Sequence, residues 1–119
     1  MKAHTLFILK PCELNAEKIT AYCRDSAQVL GLFQFFPYLK DHVEVRVLND
    51  QEPRTELVRM LGGSNQSCPL LLLNAELSAI PPLVNIMQAN GRRFITGTQQ
   101  ISRYLAATYG SAVNQGKSA

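Results

Sequence analysis

Few residues in this chain are of a type that does covalent chemistry. Three cysteines, Cys12, Cys23 and Cys68, fall at irregular spacing. An odd, uneven set of that kind builds neither a disulfide framework nor a zinc site. Cys23 opens the segment Cys23-Arg24-Asp25-Ser26. At a helix amino terminus a thiol is favoured as the thiolate by the backbone amides and the helix dipole. Arg24 would strengthen that effect and Asp25 would oppose it. A lone thiolate suits monothiol exchange, because Ser26 cannot act as a resolving thiol. Cys23 and Ser26 are therefore the candidate catalytic residues. The alternative makes Cys23 a small buried hydrophobe.

Other chemistries lack their residues. His4 and His42 read as separate surface histidines without the pattern of a triad. Gly62-Gly63 reads as a helix stop rather than a phosphate loop. The paired carboxylates of a hydrolase are absent, and no metal set is apparent. Phe33, Phe35 and Phe36 have no basic residues between them and make no base-stacking platform.

The 119 residues suit one domain, expected over 1–111, with a flexible tail over 112–119. Hydrophobic content of 46% and charged content of 18% are ordinary for a soluble domain. The net charge of +3 is unevenly spread: all 9 acids lie at or before Glu76, and Arg92, Arg93, Arg103 and Lys117 follow. A basic end suits an anionic ligand, but four dispersed cations fall short of a nucleic-acid footprint. No run approaches the roughly 20 apolar residues of a membrane span. Thr5 to Leu9 is too short for the core of a signal peptide. A cytoplasmic setting with free thiols is expected.

The elements that must position these residues follow from the apolar pattern. Leu6-Phe7-Ile8-Leu9 predicts a central strand, and Val43-Glu44-Val45-Arg46-Val47 alternates as an edge strand does. Leu70-Leu71-Leu72-Leu73 predicts a strand buried on both faces, entered through Pro69, which cannot donate to a ladder. Between the first two, Ile19, Tyr22, Ser26, Val29, Leu30, Phe33 and Phe36 recur at helical spacing. Either one long helix capped by Asn15 runs to Pro37 and buries Cys23, or the helix breaks and starts at Cys23. Pro53 predicts the first turn of a helix through Leu61, closed by Gly62-Gly63. Leu83, Val84, Ile86 and Met87 predict one or two helical turns before Asn90-Gly91. Phe94-Ile95 predicts a short strand, and Thr98 caps a last helix ended by Gly110. The apolar 77–87 segment could serve as a lid or as the contact of a homodimer.

Strand, helix, strand, helix, strand, strand, helix is an α/β order, and it resembles the thioredoxin-like topology: βαβαββα, a four-stranded mixed sheet in the order 2-1-3-4, helices on both faces, and right-handed first crossovers. Cys68-Pro69 before the four leucines, with Thr98-Gln99-Gln100-Ile101-Ser102-Arg103-Tyr104-Leu105 after Phe94-Ile95, is similar to the amino-terminal domain of glutathione transferases. Nearly the whole chain resembles a bacterial family of small thioredoxin-like proteins of unassigned function. The blocks that carry this are Leu6-Phe7-Ile8-Leu9-Lys10-Pro11, Tyr22-Cys23, Asn65-Gln66-Ser67-Cys68-Pro69 and Gly91-Arg92-Arg93-Phe94-Ile95.

The resemblance implies a cis bond at Cys68–Pro69 and places Cys68 against the start of the first helix, where it could be a redox partner of Cys23. It implies glutathione as the ligand, held by the backbone of Cys68 beside Pro69, by Thr98, and by Arg24, with Arg92 or Arg93 adding charge. Two departures stand against it. Ser26 replaces the second thiol of the family's cysteine pair, and Gly97 replaces the transferases' acid or amide. Two functions stay open: a non-catalytic binding or assembly module on this scaffold, with a small thiol or a protein as partner, or monothiol glutathione-linked exchange through Cys23.

Overall fold

In the computed structural model residues 2–14, 19–74 and 81–113 are described. Strand β1 (His4–Leu9) leads into a small antiparallel hairpin, β2 (Cys12–Leu14) with β3 (Ile19–Ala21). Helix α1 (Arg24–Phe35) follows, then a short 3-10 turn (Pro37–Asp41) and β4 (Val43–Leu48). Next come α2 (Thr55–Leu61), β5 (Leu70–Leu73), β6 (Met87–Ala89), β7 (Arg92–Thr96) and α3 (Thr98–Tyr109). The fold is α/β, with one mixed five-stranded sheet in the order β4-β1-β5-β7-β6. β1 and β4 run parallel, and the other pairs antiparallel.

The four strands expected from sequence stand in the expected order, and β6 corrects the count from four to five. Its cause is the pair Asn90 (φ 51°) and Gly91 (φ 74°). Two successive left-handed residues make a tight hairpin turn whose twist matches its strands, so Met87–Ala89 pairs with Arg92–Phe94 instead of forming helical turns. The long-helix alternative is also excluded. Ile19–Ala21 is extended, its β-branched Ile19 and Thr20 suiting a strand, and helix starts only at Arg24. The expected cap Asn15 lies outside the described residues, as do 77–80 of the apolar segment and 114–119 of the tail. Pro53 precedes α2 rather than opening it, and both the Glu52–Pro53 and Cys68–Pro69 bonds are cis. Because β4 and β5 run in opposite directions, the parallel-crossover rule governs only the β1-to-β4 connection.

Alternation along the central strands sends side chains to two cores. Leu6, Ile8, Leu71, Leu73 and Ile95 pack under Val29 and Phe33 of α1 and Ile101, Tyr104 and Leu105 of α3. Phe7, Leu70, Leu72 and Phe94 pack on Leu57 and Leu61 of α2. Helices thus cover both faces, which explains why β5 is apolar without a break. Among the described residues no helix is long and apolar enough to cross a membrane.

His4 is not on the surface. It is buried on the α3 side, with Nε2 3.2 Å from the Tyr104 hydroxyl and its ring edge-on to Tyr104 and Tyr109. His42 stacks on Tyr109 at 4.3 Å, and its carbonyl accepts from the His4 amide, so the two histidines are neighbours. The missed signal is the chain position of His4, next to the apolar run of β1. Burial, helped by His42, lowers the His4 pKa from 6.5 to about 4. The unfolded chain therefore binds a proton that the folded chain refuses, so this contribution is whole above pH 6.5 and is lost as pH falls to about 4. The loss should be roughly 3 kcal/mol over the whole window and roughly 2 between pH 7 and 4.5. Urea unfolding at pH 7 and at pH 4.5 should show it, and His4→Phe should flatten the slope; an unchanged slope in the variant refutes the assignment.

Candidate functional site

Cys23 occupies the N-cap position of α1. Its backbone is extended (φ −80°, ψ 112°), and its Sγ accepts from the Ser26 amide at 3.3 Å. A cap side chain of this kind satisfies one of the four amides that a helix start leaves without partners. Here a sulfur takes the place usually held by a serine or aspartate oxygen. The residue is half-buried and its thiol is free. Tyr22 beside it is 68% exposed. A cleft of about 250 Å³ opens at the thiol, walled by Leu9, Pro11, Tyr22, Ala27 and Leu30.

Ser26 is buried, and its hydroxyl accepts from the amide of Leu9 at 3.2 Å. Its amide serves Cys23 while its oxygen serves the end of β1. Its place among the candidate catalytic residues gains a positioning reading, since both polar groups are engaged in holding the thiol to the sheet.

Cys68 and Pro69 enter β5 from a loop that several side chains fix. Asn65 donates to the Leu61 carbonyl at the end of α2, and Gln66 donates to Gly63. Arg54, largely buried, donates to the carbonyls of Gln66 and Asp50, each at 2.6 Å, and its own amide donates to the Gln66 side chain. Arg54 was not legible as a site residue. It sits among Asp50, Glu52 and Glu56 and reads there as one more surface charge. Burial pushes the Cys68 thiol up to about 11; Arg54 pulls it back, and the charge of a Cys23 thiolate pushes it further up. Charge on Cys23 is thus felt at Cys68 across this end of the sheet.

Gly97 takes the N-cap position of α3 that sequence gave to Thr98. Its amide donates to the Pro69 carbonyl at 3.3 Å, and its carbonyl accepts from Ile101. Thr98 instead donates its hydroxyl to the Asp25 carbonyl at 3.1 Å, tying the starts of α1 and α3 together. Arg24, Gln28, Thr98 and Gln99 line a cleft of about 410 Å³ between them. Cys23, Arg24, Ser26, Pro69, Cys68 and Thr98 thus belong to one end of the molecule. Arg92 and Arg93 do not. In the antiparallel register Thr96 faces Leu70 while Arg93 faces Leu73, about 10 Å away at some 3.3 Å per residue.

A family model described as "Protein of unknown function (DUF3088)" matches residues 3–113. No curated protein and no solved structure matches the chain.

The conformation of Gly97 (φ 89°, ψ 144°) is essentially open only to glycine. A residue carrying a Cβ is strained at this position whatever space surrounds it. Gly97→Glu should destabilise the fold by about 1–3 kcal/mol although a Cβ would meet no neighbour. Chemical denaturation of the variant reads the loss, and a stability equal to that of the parent chain refutes the backbone account.

Proposed function

We propose, starting from the fact that the chain belongs to the DUF3088 family, a function built on one thiol: monothiol exchange with glutathione mixed disulfides on a thioredoxin-type scaffold. The observation that carries this reading is the cap itself. Helix α1 starts directly after Cys23, and the sulfur accepts the Ser26 amide. Backbone amides and the dipole of a twelve-residue helix therefore stabilise negative charge on sulfur.

The exchange proceeds in two balanced displacements. The Cys23 thiolate attacks the glutathionyl sulfur of a mixed disulfide; a Cys23–glutathione bond forms, and the other thiol leaves and takes up a proton. A glutathione thiolate then attacks that glutathionyl sulfur, returning the Cys23 thiolate and releasing glutathione disulfide. On this reading the tripeptide lies across the Cys68–Pro69 backbone, which precedes the β5 ladder that starts at Leu70. Its carboxylates are met by Arg24 and by the first amides of α3. The Thr98 hydroxyl is spent on Asp25, so its amide is the group left for a ligand.

A second reading keeps the scaffold as a non-catalytic binding or assembly module. Exposed Phe35 (80%) and Leu83 (76%) favour it, since they offer apolar area to a partner or a second copy. Alkylation separates the two. With iodoacetamide at pH 7, Cys23 in the folded chain should react at least about tenfold faster than in the urea-unfolded chain. It should also reduce a glutathionylated peptide at a rate abolished by Cys23→Ser. Arg24→Glu should raise the KM for that substrate about two- to fivefold, the worth of an exposed ion pair. Equal alkylation rates with no reduction of the peptide leave the binding module.

A further inference from the structure

We infer that Cys68 supplies the resolving thiol that Ser26 does not, closing an internal Cys23–Cys68 disulfide at this end of the sheet. The inference rests on the monothiol reading for the step that loads Cys23, but the placement of the two thiols is independent of it.

Two short paths bring the residues together. In the first, Cys23 Sγ accepts from Ser26, whose hydroxyl accepts from Leu9. Leu9 lies two residues past Phe7 in β1, and Cys68 lies two residues before Leu70, where Phe7 and Leu70 are antiparallel partners. Adjacent strands run about 4.8 Å apart. In the second, Thr98 donates to the carbonyl of Asp25, two residues from Cys23, while neighbouring Gly97 donates to the carbonyl of Pro69, next to Cys68. Hydrogen bonds thus fix Cys23 directly and Cys68 through its neighbour Pro69; both cysteines are free and partly exposed residues, Cys68 packing against the α2-side core. A disulfide requires Cα atoms within about 7 Å, a separation that both paths allow.

The chemistry has a built-in order. At rest Cys68 is held protonated by burial, and negative charge on Cys23 adds to that effect. Once Cys23 is bonded to glutathione that smaller contribution is gone; burial, the largest, remains and is offset in part by Arg54, so the resolving step quickens as pH rises. Cys68 then attacks the Cys23 sulfur: the Cys23–glutathione bond breaks, the Cys23–Cys68 bond forms, and glutathione leaves with the proton from Cys68. Overall, two protein thiols are oxidised by two electrons and one glutathione disulfide is reduced to two glutathione molecules. The resulting disulfide would take the nucleophile out of service until a thiol reductant reopened it.

The test uses the full chain carrying Cys12→Ser. Diamide, a two-electron thiol oxidant, should give a monomeric product whose non-reducing peptide map joins the Cys23 and Cys68 peptides. With glutathione disulfide, a Cys23 adduct should appear and convert to the same product. In Cys68→Ser, or Cys68→Ala should the serine variant fail to fold, the adduct should persist at least roughly tenfold longer. An adduct that persists with Cys68 present, or diamide products formed only between chains, overturns the inference and leaves the monothiol reading standing. No adduct on Cys23, with diamide still joining the pair, overturns the resolving role together with the monothiol reading and leaves only the proximity of the thiols.

Discussion

One buried serine joins the thiol to the sheet. The Ser26 amide reaches Cys23 Sγ, and its hydroxyl takes the amide at the end of β1. Buried polar groups must find partners or cost about 1–3 kcal/mol each, and Ser26 meets that demand for itself, for the helix start and for Leu9 at once. The position of the sulfur is thereby set by the sheet, the most rigid part of the molecule, rather than by the loop before it. A cysteine at position 26 would serve less well, because sulfur is a weak acceptor and the Leu9 amide would lose most of its bond. Serine at position 26 thus has a structural reason in this chain.

The rest of the architecture serves that placement. β5 is covered by α1 and α3 on one face and by α2 on the other, so its register is fixed by two cores. A slip of one residue would exchange Leu71 with Leu70 between cores of different shape. With β5 fixed, Pro69 and Cys68 just before it are fixed as well, and the Arg54–Gln66 bonds secure the loop that leads to them. A largely buried guanidinium is tolerable here because carbonyl oxygens accept from both its terminal nitrogens and the Glu52 carboxylate lies 3.7 Å away.

Much of this was legible in the chain because some residues admit one use. Four leucines after a proline fitted a doubly covered strand, although a short core helix has a similar pattern; Pro37 had to end α1, and Gly110 had to end α3, where it adopts a left-handed φ of 79°. The break before α1 was undecidable by periodicity, since Ile19, Tyr22 and Ser26 fit a helix as well as a hairpin followed by one. Pairing with Cys12–Leu14 decided it, and that is a contact between separated segments. Asn90-Gly91 was readable as a hairpin turn but was masked by the apolar residues before it. His4 and Arg54 escaped because a polar residue's burial depends on partners distant in sequence: Tyr104 lies 100 residues from His4, and Gln66 lies 12 from Arg54.

The electrostatics at this end follow from the same geometry. Thr98 bonded to Asp25 brings the amino termini of α1 and α3 side by side, so two helix dipoles present their positive ends to one region. Helix α3 carries no acid in its first turn, and α1 carries only Asp25, flanked by Arg24. Asp50, Glu52 and Glu56 line a neighbouring cleft together with Arg54 and Pro11, and Pro11 also borders the Cys23 cleft. At the two helix starts an anion meets free amides and Arg24, and a cation meets the Asp25 carboxylate. This convergence of helix ends favours negative over positive charge where α1 and α3 begin.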